Sequence, residues 1–455
     1  MSSLPRRSFI QNASLAAAGL ALVRPLLGAD APPAAGLKIA GVGVGGQGGY
    51  NIRACAKAGA EIVALCDVHP ANCAGLYKEF PKAATYTDFR VMLEKHPEIQ
   101  GVVIATPDHT HAWIAMACMR AGKHVYVQKP MAYTVREARL LRDTARELGL
   151  VTQMGNQGHS GEGIRLIREW IDAGLIGEVR EVHAWTNRPL WPQDTGTKRP
   201  TETPPVPEGL DWNLWIGPAP MRPYHPSYHP WSWRGWWDFG TGSLGDMGCH
   251  IMDPVVTALR LGHPVSVEAT IPTFYPNKSE LEKSPGESYP RASIVRYRFP
   301  ERQNLPAVEF TWWDGGLMPS RPAELEEDMP FGDWNGGCLF IGTKGKLTCG
   351  CYAEKPRLLS PELREAAKSV PKNIPRIPGA VGGHEADWLR AIKGGPVPCS
   401  NFEVAGPLAE TVLMGNLGIR FPNRRLLWDG AAMKVTNDAE ANKYVQRVNR
   451  EGFSF

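Results

Sequence analysis

An aspartate and a histidine whose side chains could exchange a proton stand four positions apart, at Asp246 and His250. The apolar residues after them recur at helical spacing, so we predict that both side chains lie on one face of a helix. A carboxylate beside an imidazole can hold one tautomer of the ring or raise its basicity, which makes the ring a proton acceptor. In the alternative interpretation, Asp246 caps the helix and His250 is an ordinary buried histidine.

A glycine-rich turn lies between two stretches predicted to be buried strands, residues 37–44 and Glu61–Cys66. Glycines at such a turn let a pyrophosphate approach the N-terminus of the next helix, and an acid after the second strand accepts hydrogen bonds from ribose hydroxyls. Asp67 is that acid, and it favours NAD over NADP because a 2′-phosphate would meet its carboxylate. The pattern predicts a Rossmann dinucleotide-binding domain over residues 36–155. The predicted turn residues are Gly43, Gly45, Gly46, Gln47 and Gly48.

Three polar segments follow further predicted strands of this domain. In an open parallel sheet the ligand crevice lies at the carboxyl ends of the strands, so these segments should converge on the nicotinamide end of a cofactor. A helix is predicted after the first segment, over residues 113–121. The residues predicted to contact the cofactor are Thr106, Pro107, His109, His111, Gln128, Lys129 and Asn156.

The order and spacing of these motifs over residues 37–260 resemble the glucose–fructose oxidoreductase / inositol dehydrogenase / MocA (Gfo/Idh/MocA) family. The matching motifs are the glycine turn, the T-P-x-x-x-H segment 106–111, the Lys-Pro pair 129–130 and the Asp-x-x-x-His pair described first. Gln128 replaces the glutamate of the usual Glu-Lys-Pro tripeptide, which removes a charge beside Lys129.

The resemblance implies roles for three side chains in the oxidation of an alcohol. By this resemblance His250 is the base that takes the hydroxyl proton, Asp246 orients and polarises it, and Lys129 hydrogen-bonds the reacting oxygen. The family pattern also implies a homo-oligomer, either a dimer or a tetramer.

The sequence pattern of the second half of the chain predicts a domain of a different fold class, over residues 156–455. Strands followed by helices are typical of an α+β unit, here with an open, mainly antiparallel sheet, so the fold class is α/β plus α+β. Helices are predicted at residues 384–392 and at residues 402–415, the latter running on toward residue 420. A final amphipathic helix is predicted at residues 437–450. The strands of this domain are predicted at residues 179–185, 265–270, 293–299, 307–313, 338–343 and 346–349.

A long insertion rich in proline and aromatic residues occupies residues 187–240. Long loops in compact domains are usually functional, and aromatic faces suit the apolar C–H faces of sugars. The alternative is that most of these side chains simply anchor the loop. His225 and His229 have metal-like spacing, but the prolines after them argue against a helix that presents both, so no metal site is predicted. The residues predicted to contact substrate are Trp191, Tyr228, Trp236, Trp237, Asp246 and His250.

The N-terminal residues 1–31 resemble a twin-arginine signal peptide, with Arg6 and Arg7 before an apolar run over residues 13–27. We therefore expect export to the periplasm. The run is short for a spanning helix, so no stable membrane insertion is predicted. A net charge of +4 without long basic runs argues against nucleic acid as a partner. Nine scattered cysteines do not predict a disulfide framework.

These features predict an NAD(P)-dependent oxidoreductase that acts on a C–OH group of a sugar, polyol or glycoside by hydride transfer. Since no NAD pool exists outside the cytosol, an exported enzyme should hold its NAD tightly. One alternative is an NAD-dependent glycosidase or lyase that oxidises a sugar transiently, eliminates the substituent and returns the hydride. A further alternative is a nonenzymatic sugar-binding protein, against which the intact candidate catalytic residues argue.

Overall fold

The buried apolar runs of the first half form a six-stranded parallel sheet in the order β3-β2-β1-β4-β5-β6. The computed structural model describes residues 34, 36–273 and 286–454, so the predicted signal peptide lies outside the described residues. The strands are β1 (Lys38–Val42), β2 (Glu61–Cys66), β3 (Ala84–Tyr86), β4 (Gly101–Ile104), β5 (His124–Val127) and β6 (Thr152–Met154). The helices that cover them are α1 (Gly46–Lys57), α2 (Ala74–Glu79), α3 (Phe89–Lys95), α4 (Asp108–Arg120) and α5 (Val135–Glu147).

The strand order reverses at β1, which pairs in parallel with both β2 and β4. Loops after adjacent strands separate at such a switch point and leave a crevice at the carboxyl edge of the sheet. The predicted Rossmann fold is confirmed, with one local error. The helix predicted over residues 113–121 begins five residues earlier, at Asp108, because extended Pro107 occupies the N-cap position directly before it. His109 and His111 therefore lie on α4 and not in a loop.

The second half contains a nine-stranded sheet in the order β13-β12-β11-β7-β10-β9-β8-β14-β15. Its strands are β7 (Val179–Thr186), β8 (Ser266–Thr270), β9 (Ile294–Phe299), β10 (Val308–Trp313), β11 (Gly336–Gly342), β12 (Gly345–Gly350), β13 (Arg357–Leu358), β14 (Leu426–Asp429) and β15 (Lys434–Val435). The sheet is mainly antiparallel as predicted, but β7 and β10 pair in parallel. The chain leaves β7 through the insertion and returns as an antiparallel series β8-β9-β10, whose last strand runs in the direction of β7.

Long helices connect the two sheets into one buried core. The helix α12 (Phe402–Arg420) packs against α5 of the first half and against α8 (Gly242–Ile251) and β8 of the second. Among the described residues no helix is both long enough and apolar enough to cross a membrane. The remaining helices are α6 (Glu162–Asp172), α7 (Trp212–Ile216), α8 (Gly242–Ile251), α9 (Asp253–Ala258), α10 (Pro361–Ala367), α11 (His384–Ile392) and α12 (Phe402–Arg420).

The final amphipathic helix predicted over residues 437–450 is wrong. The segment contains a single 3-10 turn, Ala441–Tyr444. Side-chain bonds replace the helical ladder: the carboxylate of Asp438 accepts from the backbone at 440 and 441, and Arg447 forms an ion pair of 2.9 Å with Glu137. The charged residues that suggested an exposed helical face instead fasten the C-terminus to the first half.

Candidate active site

A cavity of about 700 Å³ opens at the carboxyl edge of the six-stranded sheet, and both halves of the chain contribute to its wall. Most of the predicted cofactor residues line it, together with all three predicted catalytic residues. The predicted residues in the wall are Gly43, Gly45, Gly46, Gln47, Asp67, Thr106, Pro107, His111, Gln128, Lys129, Trp191, Asp246 and His250.

At two glycines of the turn, neighbouring parts of the protein lie too close to the backbone for any side chain. Gly43 has a φ of +74°, and a Cβ there would lie 2.7 Å from Thr106. At Gly48 a Cβ would lie 1.9 Å from the carbonyl oxygen of Gly43, so only glycine lets α1 pack this closely on β1. Gly48 thus shapes the turn from behind and does not line the cavity.

The N-terminus of α1 provides an anion site. Its N-cap, Gly45, has no side chain to bond the first-turn N–H groups, and the turn lines the cavity. Asp67 follows β2 at the same edge, where its Oδ2 accepts from the backbone N–H groups of Val44 (3.0 Å) and Gly45 (3.3 Å). Uncapped helix N–H groups bind phosphate and a nearby carboxylate binds ribose hydroxyls, so these residues fit a dinucleotide.

Two residues predicted to contact the cofactor lie behind the cavity wall, and their predictions need correction. The ring of His109 is buried, with Nδ1 3.1 Å from the carbonyl oxygen of Phe239 and Nε2 3.0 Å from that of Trp215, so it fastens α4 to the insertion. Asn156 is also buried, and its amide donates to Asp253 at 3.0 Å and accepts from Ser400 at 2.5 Å. Their polar atoms are therefore used within the protein.

His111 lines the cavity, but both of its ring nitrogens are occupied. Nδ1 lies 2.7 Å from the carbonyl oxygen of Pro130, and Nε2 lies 2.7 Å from that of Thr106. The ring therefore joins the loop after β4 to the loop after β5, which carries Lys129. Its role in the site is to position these loops.

Lys129 and Asp246 bring the two halves of the chain together. Lys129 follows β5, Asp246 lies on α8, and the Lys129 Nζ donates to the Asp246 Oδ1 at 2.9 Å and to its backbone oxygen at 2.5 Å. Both side chains are largely buried, with 17% and 16% of their surface exposed. Such a pair is held rigidly while still facing the cavity.

The carboxylate of Asp246 lies among three cations. In addition to Lys129, the Nε of Arg188 is 3.2 Å from Oδ2, and the Nε of Arg234 is 3.8 Å from Oδ1. Burial by itself would raise the pKa of the Asp246 carboxyl, but the positive charges of Lys129, Arg234 and Arg188 outweigh burial and hold that pKa at about 2. The carboxylate is therefore ionised throughout the neutral range.

His250 lies one helical turn after Asp246, but the two side chains do not hydrogen-bond. The Asp246 oxygens are taken by the cations, and the Nδ1 of His250 has no hydrogen-bond partner among the described residues. The His250 ring is buried edge-on against Tyr352, with 4.6 Å between ring centroids. Burial, and next the charge of Lys129, lower the pKa of His250 well below 6.5. The implied orientation of His250 by Asp246 is thus not seen, although the neutral ring can accept a proton.

The aromatic insertion contributes a different set of side chains from the one predicted. Only Trp191 of the four aromatic residues predicted to contact substrate lines the cavity; Tyr228 and Trp236 pack edge-to-face with each other at 4.9 Å within a buried cluster. Trp237 packs on Tyr289. For these three the anchoring alternative applies, because their rings pack on other side chains of the protein and do not line the cavity. Trp231 and Trp233 line the cavity in their place.

Several polar residues of the cavity wall were missed, among them Asp108, Arg188, Arg234 and Tyr352. Arg188 carried a usable signal, since it stands two residues after β7, where a strand end delivers side chains to a crevice. Asp108 lies within the T-P-x-x-x-H segment but was not singled out. Tyr352 carried the same signal as Arg188, since it stands two residues after β12. Arg234 reaches the cavity only through the folding of the long insertion, which residue spacing does not reveal.

His384, which is buried behind the cavity, should make the stability of the protein depend on pH. Its neutral ring donates from Nε2 to the oxygen of Met154 at 2.8 Å and accepts at Nδ1 from Ser160 at 2.6 Å. Burial lowers the pKa of His384 from 6.5 to about 4. As the pH falls, His384 is therefore protonated in the unfolded chain before it is protonated in the folded protein. Its contribution to the free energy of unfolding is complete above pH 6.5 and is lost as the pH falls toward 4.

We expect His384 alone to cost about 2 kcal/mol of unfolding free energy between pH 7 and pH 5. Urea denaturation at both pH values, for the wild type and for His384→Gln, measures this cost. The variant should lose about 2 kcal/mol less than the wild type over this interval. An equal loss in both proteins would show that His384 does not titrate as proposed.

Two protein-family models match consecutive parts of the chain. A family model described as "Oxidoreductase family, NAD-binding Rossmann fold" matches residues 37–156, and one described as "Oxidoreductase family, C-terminal alpha/beta domain" matches residues 161–279. Together they cover more than half of the chain.

Curated relatives match less than half of the chain. Levoglucosan dehydrogenase of Pseudarthrobacter phenanthrenivorans is 25% identical over 214 residues, which are 47% of this chain and 46% of that protein. A glycosyl hydrolase family 109 protein of Shewanella pealeana is 31% identical over 207 residues, 39% of this chain and 44% of that protein. The chain thus spans less than half of the length of these relatives.

Among solved structures, the WlbA dehydrogenase of Bordetella pertussis in complex with NADH and UDP-GlcNAcA has a TM-score of 0.58 at 17% identity. The match covers 86% of this chain and 99% of that one, which establishes a shared fold.

Proposed function

This chain belongs to the Gfo/Idh/MocA family of oxidoreductases, and from that premise we propose that it transfers hydride between NAD and a C–OH group of a sugar, polyol or glycoside. The observation that carries the proposal is the 2.9 Å pair of Lys129 and Asp246, held in one cavity with His250 and the glycine turn. A dinucleotide-binding edge and proton-handling side chains from the other half of the chain are what an alcohol oxidation requires.

The cofactor part of the proposal rests on the edge of the Rossmann sheet. NAD, when bound, supplies the hydride acceptor. The uncapped N-terminus of α1 and the glycine turn would hold its pyrophosphate, and Asp67 would bind the ribose hydroxyls. Since Asp67 would meet a 2′-phosphate as a like charge, NAD is preferred over NADP.

Within the cavity each catalytic residue has a definite task. His250, which is neutral near pH 7, accepts the proton of the substrate hydroxyl. Lys129 donates two of its three N–H groups to Asp246 and keeps one for the reacting oxygen, whose growing negative charge it stabilises. Asp246 fixes Lys129 in place and balances its charge, so in this structure it is a positioning residue for Lys129.

A second candidate is a glycosidase or lyase that uses the same residues. Relatives named as glycosyl hydrolase family 109 proteins, 29–31% identical over 207 residues, favour it. Such an enzyme would oxidise a sugar hydroxyl transiently, eliminate the glycosidic substituent, add water and return the hydride. The net reaction would then be hydrolysis without redox change.

Reduced-nicotinamide absorbance separates the two candidates. The purified protein, saturated with NAD, is mixed with a panel of sugars, polyols and coloured aryl glycosides. Lasting formation of NADH in proportion to the sugar consumed supports the oxidoreductase. Release of the coloured group without accumulation of NADH supports the glycosidase, and neither signal with any compound contradicts both.

We further propose that the protein is exported by the twin-arginine route to the periplasm and acts there as a homo-oligomer with tightly held NAD. The support for export is the Arg6-Arg7 pair before an apolar run. Mass spectrometry of the mature N-terminus from a periplasmic extract tests it, and an intact N-terminus found in the cytosol would contradict it.

A further inference from the structure

Two arginines in the cavity have no task in the proposed reaction. Arg188 and Arg234 both line the cavity and both approach Asp246, at 3.2 Å and 3.8 Å. That carboxylate already has a closer cation, Lys129 at 2.9 Å. Neutralising Asp246 therefore does not account for two additional guanidinium groups.

The charges at this end of the cavity are unequal. Three cations, Lys129, Arg188 and Arg234, lie within 3.8 Å of the single carboxylate of Asp246. Of the other carboxylates in the cavity wall, Asp67 lies at the glycine turn, Asp88 is paired with Arg90, and Asp108 interacts with two of these cations. Asp108 is buried and accepts a hydrogen bond from the Thr241 hydroxyl at 2.5 Å. An excess of positive charge on largely buried side chains is costly unless an anion meets it.

Both guanidinium groups are held by contacts within the protein, and each has an Nη2 that bonds to none of the described residues. Arg188 donates from Nη1 to the side chains of Asn187 and Asn335, while its Nη2 bonds to none of the described residues. Arg234 donates from Nη1 to the oxygen of Trp231 at 3.1 Å, and within the described part of the chain its Nη2 is likewise without a partner.

The aromatic wall holds Arg234 in position. Its guanidinium carbon lies 4.2 Å from the ring centroids of both Trp231 and Trp233, so cation–π contacts fix the group beside the cavity. A fixed, partly unsatisfied guanidinium is well suited to oxyanions, because its N–H groups match carboxylate and phosphate oxygens.

We propose that the substrate is an acidic sugar whose anionic oxygens bind to Arg188 and Arg234 while its hydroxyl meets Lys129 and His250. This inference rests on the proposed function, which it narrows from sugars in general to sugars that carry a carboxylate or a phosphate ester. The neutral C–H face of the same sugar would lie on the tryptophans of the insertion.

Matched sugar pairs test the inference with the NAD-loaded, full-length enzyme. The pairs are D-glucose with D-glucuronate, D-galactose with D-galacturonate, and D-glucose with D-glucose 6-phosphate. We expect kcat/KM for NADH formation to be at least about tenfold higher for an acidic member than for its neutral partner, as for one charge-assisted hydrogen bond. The uronates and the phosphate ester distinguish the two kinds of anion.

Variants connect this preference with the two arginines. Arg188→Gln and Arg234→Gln should each lower the acid-to-neutral ratio at least about tenfold, and Arg234→Lys should keep part of it. Arg180→Gln is the matched control, because Arg180 lies on the same strand β7 but pairs with Glu178 on the surface. It should keep the wild-type ratio.

The salt dependence of KM in the wild type tests the same inference even if the arginine variants do not fold. For the wild type, added NaCl should raise KM for the acidic sugar and leave KM for its neutral partner nearly constant. Neutral sugars oxidised as well as or better than their acidic partners would overturn this inference and leave the proposed function intact. If no sugar of either kind reduces NAD, the proposed function itself fails.

Discussion

Replacing Lys129 with methionine is expected to lower kcat/KM by about 10²–10³-fold while the affinity for NAD changes little. Methionine keeps the apolar stem of the side chain but removes the N–H group that would meet the reacting oxygen. The carboxylate of Asp246 keeps Arg188 at 3.2 Å, so the variant leaves no unpaired buried charge and should fold. The loss should therefore appear in turnover rather than in cofactor binding.

Steady-state rates with the best sugar of the panel, together with NAD titrations, measure this effect. Lys123→Met is the matched control, because Lys123 stands just before the opposite end of β5, where its Nζ donates to the Pro97 oxygen near the surface. The control should keep wild-type rates. If Lys129→Met retained more than about a tenth of the wild-type kcat/KM, Lys129 would not be the electrostatic group we propose.

Replacing His250 with asparagine is expected to lower kcat by about 10²–10⁴-fold, the usual contribution of a general base. Asparagine is close in shape and is also neutral, but its amide cannot take up the substrate proton. Because burial and the charge of Lys129 keep the pKa of His250 well below 6.5, the wild-type enzyme should hold its oxidation rate down to about pH 6.5. The rate should then fall at more acid pH as the ring is protonated.

A pH–rate profile of the oxidation, for the wild type and for His250→Asn, measures both expectations. His96→Asn serves as control, since His96 bonds to Tyr86 and Glu98 outside the cavity wall. An acid limb centred above pH 6.5 in the wild type, or substantial activity in His250→Asn, would assign the proton to another group.

The first half of the fold was predictable because its signals are local. Buried strands, the glycine turn and Asp67 follow one another within about thirty residues, and each has a stereochemical reason that does not depend on distant parts of the chain. The cavity between Gly43 and Lys129 then follows from the rule on carboxyl ends of parallel strands. That Lys129 meets Asp246 was predicted only through the family resemblance.

The second half was predictable in its elements but not in its side-chain contacts. Periodicity locates α11 and α12, yet it cannot show which tryptophans of the insertion face the cavity and which pack on one another. Trp191 and Trp236 have the same chemistry, and their different surroundings come from how the insertion folds back. For the same reason Asn156 looked like a cofactor residue but is used by Asp253 and Ser400.

The proposed function requires that hydride passes from a sugar carbon to NAD held at the glycine turn. The measurement that tests this most directly uses a sugar deuterated at every carbon, mixed with the NAD-loaded protein, followed by mass spectrometry of the extracted cofactor. We expect NADH that carries one deuterium from the sugar. NADH without deuterium, or sugar converted with all of its deuterium retained and no NADH formed, would contradict the proposed function.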